Sequence, residues 1–368
     1  MEPLTYAAAG VDVEAGDRAV ELIRTAVART HGPQVVGGVG GFAGLFDLSA
    51  VKGFRRPLLA GSTDGVGTKV AVAQALGRHD TIGLDLVAMV VDDVVVCGAR
   101  PLVMTDYLTC GRVEPERVAA IVGGVAAGCE IAGCALVGGE TAEHPGLLEP
   151  DEYDLAGAAF GVVEADDLLG ADRVLAGDAV VALASSGLHA NGYSLVRKVF
   201  ARAGWGYDRY VEELGRSLGE ELLEPTRIYA ADVLDLAAAL GTDLHALAHV
   251  TGGGLAANLA RVIPDAVHAV VDRGTWRPAP VFELVGRLGA VPRADLERTL
   301  NLGVGMVAVV AADRAAEAVE RLAAAGVPSW VLGTVAAGPP PADAIDVVRG
   351  AKGVHGGAVV TVGAHGPA

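Results

Sequence analysis

The sequence predicts an α/β protein, of α+β type, built from two tandem α/β domains. Three observations carry this prediction. The chain has 368 residues, too many for one ordinary core. Short apolar runs alternate with stretches whose apolar residues recur every three or four positions, as strands alternate with helices. The alternation breaks in the polar, glycine-containing stretch 170–178 and then resumes. The expected division is therefore 1–170, 171–338 and a Pro/Gly/Ala-rich tail, 339–368, loosely ordered apart from one possible strand at 358–362.

Taken in order, Val20, Ile23 and Val27 give 17–30 a helical stripe. Residues 37–44 carry so many glycines, Gly40 and Gly41 among them, that the segment is either a mobile loop or backbone that must approach another group closely. A strand is expected at 57–61, a helix at 80–99, a strand at 101–108 and a helix at 115–133, with Pro115 in its first turn. Strands follow at 135–138 and 155–163. In the second half the expected strands are 179–184, 267–271, 306–310 and 330–335. The expected helices there are 193–203, 225–240, 255–262 and 314–324.

Composition narrows the function. Apolar residues make up 52 % and aromatics only 4 %, so the core is aliphatic. The 28 basic and 45 acidic side chains give a net charge of −17, which argues against a nucleic-acid or anionic-membrane surface. The mean hydropathy is +0.42, yet no uncharged apolar run reaches the roughly 18–20 residues that span a bilayer. The first residues lack the basic and apolar regions of a signal peptide. A soluble, cytoplasmic protein is expected. Cys97, Cys110, Cys129 and Cys134 form no C-x-x-C pair and read as small core residues in a reducing compartment.

Four constellations carry chemistry. The first is Ser62-Thr63-Asp64-Gly65-Val66-Gly67-Thr68-Lys69, expected as a loop after the strand at 57–61. It holds one of only four lysines, against twenty-four arginines. Backbone N–H groups, hydroxyls, an ammonium and a metal on Asp64 would suit a polyphosphate. A glycine-rich turn capped by Thr or Asp is the alternative. The second is the helix at 80–99, apolar on all sides apart from Asp80, Asp85, Asp92 and Asp93. Carboxylates buried there need a metal, a phosphate site or ion pairs to arginines such as Arg100. The third is Val137-Gly138-Gly139-Glu140-Thr141, where a short strand would end in two glycines and present Glu140 at its carboxyl end. Asp64, Asp93 and Glu140 together are hard oxygen ligands suited to Mg²⁺ bridging nucleotide phosphates. The fourth is Ser185-Ser186-Gly187-Leu188-His189-Ala190-Asn191-Gly192, between a strand and a helix, with His189 a candidate acid or base. Thr251-Gly252-Gly253-Gly254 ahead of a helix is either an anion site or a plain helix entry.

In their order along the chain these blocks resemble the phosphoribosylformylglycinamidine cyclo-ligase (AIR synthetase) family. The likeness extends to Tyr6-Ala7-x-Ala9-Gly10-Val11-Asp12, Gly37-Gly38-x-Gly40-Gly41-Phe42, Pro225-Thr226-Arg227-Ile228-Tyr229 and Gly303-Val304-Gly305-Met306. The resemblance implies ATP-dependent closure of formylglycinamidine ribonucleotide to aminoimidazole ribonucleotide in purine synthesis, with ADP and phosphate released. It implies a homodimer in which strands of both subunits meet in a barrel. Carried onto this chain, it implies catalytic roles for His189, Asn191 and Lys69, and metal ligation by Asp64, Asp93 and Glu140. Nucleotide contacts would come from Gly40, Gly41, Thr63, Gly65, Gly67, Thr68, Lys69, Ser185, Ser186, Thr251, Gly252 and Gly253. A kinase acting on thiamine phosphate or selenide would share the acids, but is not expected to carry 185–197 in this form. A catalytically silent nucleotide-binding scaffold would tolerate loss of the acids, and all three are present. Three departures stand out: Ala43 where relatives place glycine after the Phe, Arg24, Arg29 and His31 where relatives often carry lysines near the end of the first helix, and a tail beyond Gly338 with no functional reading.

Overall fold

The computed structural model describes residues 10–38, 40–350 and 357–366. The Tyr6–Ala9 part of the first block lies outside them. The chain divides into two compact units, 1–95 with 99–165, and 96–98 with 166–368.

The first unit runs α1 (Val13–Arg29), the hairpin β1 (Val35–Val36) and β2 (Leu45–Phe46), β3 (Pro57–Gly65), α2 (Val70–Leu76), α3 (Ile82–Val95), β4 (Arg100–Cys110), α4 (Pro115–Ala132), β5 (Ala135–Glu143) and β6 (Tyr153–Glu164). The sheet order is β3-β6-β4-β5, antiparallel except for the parallel pair β4–β5. α3 lies on β3 and β6, and α4 packs between α1 and α3. Ile82, Leu86, Val87, Val90 and Val91 on α3 are fully buried. Each such side chain stabilises the fold by roughly 1.5–3 kcal/mol relative to exposure. The other face of the sheet presents Leu59, Tyr107 and Phe160, exposed by 73 %, 42 % and 41 %.

The strands that bear candidate residues are longer than expected. β3 was expected to stop at 61 and β5 at 138, but they reach Gly65 and Glu143. Pairing to β6 and β4 supplies backbone partners that glycine-rich local sequence does not advertise, and tertiary context overrides weak propensity.

The second unit runs β7 (Ala179–Ala184), α5 (Tyr193–Arg202), β8 (Tyr210–Val211), β9 (Arg216–Ser217), α6 (Leu218–Leu222), α7 (Ala230–Leu240), β10 (Leu244–His249), α8 (Gly254–Leu259), β11 (Val267–Asp272), α9 (Pro280–Gly289), α10 (Arg293–Thr299), β12 (Val304–Val310), α11 (Ala315–Ala324), β13 (Ser329–Ala337), β14 (Val347–Arg349) and β15 (Ala358–Val362). Seven strands form one sheet, β10-β12-β7-β13-β11-β15-β14. One core gathers Val180, Ala246, Ala269, Val307, Leu332 and Val359 with Leu259 of α8. The helix expected over 225–240 begins at Ala230, because the Pro225 carbonyl and the Arg227 amide bond to Ser186 instead. α9 and α10 have no counterpart in the sequence reading. The tail supplies β14 as well as the strand at 358–362. Among the described residues no helix is long and apolar enough to cross a membrane.

Candidate active site

In the first unit, Thr63 and Asp64 are strand residues rather than loop residues. Thr63 Oγ1 donates to the Gly157 carbonyl at 2.9 Å, and Asp64 Oδ1 accepts from the Gly65 amide at 2.8 Å. Asp64 is exposed. After Val66 the chain turns at Gly67, with φ +72°, through a short 3₁₀ turn at Gly67–Lys69 into α2. Gly67 and Thr68 are exposed.

Lys69 departs from expectation. Its side chain is 0 % exposed and Nζ donates to Asp85 Oδ1 at 2.8 Å, with Asp85 equally buried. The ammonium expected to face a phosphate turns inward and neutralises an acid of α3. This is the ion-pair alternative for the α3 acids, with a lysine rather than Arg100 as the partner. Asp92 is also 0 % exposed and Asp93 is half-buried.

Glu140 is exposed and stands opposite Tyr107 on the uncovered face of the sheet. β3 and β5 are the two outer strands, so Asp64 and Glu140 lie three strand spacings apart, about 14 Å. Among the described residues no group of three or more His, Cys, Asp or Glu side chains could hold a metal ion. Asp64, Asp93 and Glu140 are thus not clustered among the described residues of one chain.

Gly40 and Gly41 sit exposed at the tip of the β1–β2 hairpin. The base of that hairpin lies on β5, where a Cβ on Gly44 would come within 2.4 Å of the Val137 carbonyl oxygen. Glu143 ties down the N-terminal segment: its carboxylate accepts from the amides of Asp12 and Val113, both at 2.6 Å.

Asp106 was missed. It is the lone acid in β4, 8 % exposed, and it lies opposite Gly139. A Cβ on Gly139 would fall 2.0 Å from its Oδ1, so the glycine makes room for the carboxyl group. Burial pushes the Asp106 pKa up to about 7. A single carboxylate inside an apolar strand was the available signal.

In the second unit the structure brings four blocks together. Ser185 Oγ donates to the Gly187 carbonyl (2.9 Å) and to Asn301 Oδ1 (3.1 Å). Ser186 Oγ donates to the Pro225 carbonyl at 2.6 Å and accepts from the Arg227 amide. Ser185 N donates to the Gly303 carbonyl, and Val250 N to that of Gly305. His189 is 1 % exposed, with φ +63°. Its Nε2 accepts from Ser186 N at 3.1 Å, which puts the ring proton of the neutral form on Nδ1. His189 thus holds the 185–192 loop in shape. A Cβ on Gly252 would lie 3.5 Å from Asn191 Oδ1, so Asn191 stands beside the Thr251–Gly253 turn. That turn is fastened by Asn258 Nδ2, which donates to the carbonyls of Thr251 and Gly254. α8 has six residues, and its entry is a held turn rather than an anion site in its own right. Asn301, also missed, is the hub of this region: besides Ser185 it holds the Gly187 carbonyl at 2.9 Å and the Gly303 amide at 2.8 Å.

Residues 50–163 match the sequence model of the AIR synthase related protein N-terminal domain, and residues 176–342 match that of its C-terminal domain. The chain is 49 % identical over 334 residues to the phosphoribosylformylglycinamidine cyclo-ligase of Geobacillus kaustophilus, covering 90 % of this chain and 96 % of the relative. It is 50 % identical over 347 residues to the enzyme of that name from Anaeromyxobacter sp. strain K, covering 94 % and 99 %. Among solved structures, thiamine-monophosphate kinase from Stenotrophomonas maltophilia matches with a TM-score of 0.61 at 20 % identity, covering 95 % of this chain and 97 % of that one. Hydrogenase maturation protein HypE in complex with ATP matches at 0.60 and 19 %, covering 88 % and 86 %. At such identities the structural likeness speaks to the fold alone.

Proposed function

The chain belongs to the phosphoribosylformylglycinamidine cyclo-ligase family of ligases, and from this we propose that it closes formylglycinamidine ribonucleotide to aminoimidazole ribonucleotide at the expense of ATP, in the cytoplasm. The observation that carries the proposal is identity near 50 % over nine-tenths or more of the chain to proteins of that name. ATP would phosphorylate the formyl amide oxygen and so create a leaving group. The amidine nitrogen would then attack that carbon, and ADP and phosphate would leave. Such chemistry rests on positioning and charge neutralisation.

The geometry supports a division of labour. Gly65, Gly67 and Thr68 offer exposed or half-exposed backbone beside Asp64 for phosphate oxygens. Asn191 and the Thr251–Gly253 turn would face the substrate. Ser185, Ser186, His189 and Lys69 act as positioning residues, since their polar atoms hold the protein itself. Asp64, Asp93 and Glu140 of one chain are not clustered for a single Mg²⁺. A homodimer is supported by the uncovered face bearing Leu59, Tyr107 and Phe160. A two-copy barrel would set the outer strand β3 of one copy beside β5 of the other.

The test is formation of ADP and aminoimidazole ribonucleotide by the purified protein with ATP and the formyl substrate. Asp64→Asn is expected to lower kcat by roughly 100-fold or more, with an unchanged melting temperature. ATP binding without ring closure would defeat the proposal. ADP released with thiamine monophosphate instead would move the chain to the kinases.

A further inference from the structure

The C-terminal family match ends at residue 342, yet the chain beyond it is built into the second unit. β15 pairs in parallel with β11 over His268–Asp272, and Ala358 and Val359 are buried. Arg273, directly after β11, is 2 % exposed. Its Nε and Nη2 donate to the Glu297 carboxylate at 2.7 and 2.8 Å. Its Nη1 donates to the Thr361 carbonyl at 3.3 Å and lies 3.0 Å from Asp346 Oδ2. One guanidinium thus joins α10 to β15 and to Asp346, the residue just before β14.

His365 extends the connection. Its Nδ1 faces the carbonyls of Arg273 (3.1 Å) and Trp276 (3.4 Å), so it must donate. Its ring stands edge-on to Trp276, 4.5 Å between centroids. Trp276 Nε1 donates to the Leu302 carbonyl at 2.9 Å. Leu302 has φ +48°, a left-handed conformation that costs a leucine energy and persists only where neighbours over-determine it. Asn301, the residue before it, holds Ser185 and Gly187. His365, Trp276, Leu302 and Asn301 line one cavity.

We propose that the C-terminal segment is a strap that positions the 185–192 loop, with His365 and Asp346 as its positioning residues. By fixing Trp276 the strap holds the strained Leu302 turn, and the turn sets the Asn301 amide on which Ser185 and Gly187 rest. The consequence for catalysis depends on the reading above, in which this loop meets the substrate. The consequence for the loop itself does not.

The test uses the full chain with His365→Ala, His365→Phe, which keeps a ring on Trp276 without the donor, and His365→Asn, which keeps a donor without the ring. Hydrogen exchange of the 185–192 amides is expected to quicken roughly 3- to 10-fold in His365→Ala, with β3 unchanged and KM for the formyl substrate raised by a similar factor. The two partial variants fall between. In a chain already carrying Asn301→Ala, adding His365→Ala should change the loop's exchange no further. Tryptophan emission reports whether the tail has let go. Shifted emission with unaltered loop exchange would overturn the strap. Failure of the wild-type chain to make product would overturn the cyclisation reading and leave the exchange result standing by itself. A chain ended after Gly363 provides a second route to the same comparison.

Discussion

The 62–69 stretch, which carries the end of β3 through a turn to α2, and the 185–192 loop between β7 and α5 are both polar and glycine-bearing, but they are stabilised by different physics. Behind the first stands a buried ion pair, Lys69 with Asp85, both at 0 % exposure. A few strands away is a second buried ionisable group, Asp106. The second loop is held by neutral groups: two serine hydroxyls, the Asn301 amide and an imidazole accepting through Nε2. Ionisation governs the first region and shape governs the second. A buried charge fixes a chain segment only while its partner is present, whereas a web of neutral bonds degrades in small steps.

The sharpest way to break that contrast is Lys69→Met. It strips Asp85 of its lysine in a site closed to water and should cost about 3–5 kcal/mol, read from urea denaturation. A loss below about 1 kcal/mol would show that the pair behaves like a surface one. Next comes pH. The Asp106 pKa is raised to about 7 from an ordinary 3.8. Between those values the folded chain holds a proton that the unfolded chain has released, so stability falls as pH rises through this window and levels off above it. Asp106→Asn should remove that slope and leave the variant more stable at pH 8 by on the order of 4 kcal/mol, with the two curves converging near pH 4. Parallel curves would mean that the carboxyl group ionises at its ordinary value.

The smallest expected effect tests the second loop. A Cβ at Gly305 would lie 2.0 Å from Tyr229 Oη and 2.5 Å from His189 Cε1. Gly305→Ala should cost about 1–3 kcal/mol through overpacking, with no dependence on pH between 5 and 8 beyond that of the parent. Adding Tyr229→Phe should recover part of it in a thermal melt. A pH-dependent penalty would place a titrating His189 at the centre of the loop's stability and erase the contrast.

Much of this was legible in the sequence, and the gaps have physical causes. α3 declared itself, since a helix apolar on every side with three internal acids has to be buried. The partner of Asp85 was not legible, because Lys69 carried an equally good signal for facing a phosphate. The ends of β3 and β5 were misread, since pairing partners remote in sequence extended them across glycines. Asp64, Asp93 and Glu140 stand out in the sequence as acids among glycines and apolar residues, but which of them can meet depends on sheet order. Asn301 and Asp106 escaped notice because each is a single polar residue whose meaning lies entirely in what folds against it. His365 escaped for the same reason, in a tail whose composition suggested little order.

Asp64 also shows how a sheet restricts the ways in which a chain can diverge. It stands on β3 opposite Gly157, with Thr63 opposite Ala158. Side chains alternate along a strand, so one inserted or deleted residue between Pro57 and Thr63 would exchange the faces of Asp64 and Thr63. Substitutions in this strand can accumulate one at a time, while a change of length has no viable half-step. The exposed hairpin tip at 40–43 has no such ruler, and there gaps can open and close among descendants without disturbing the acid.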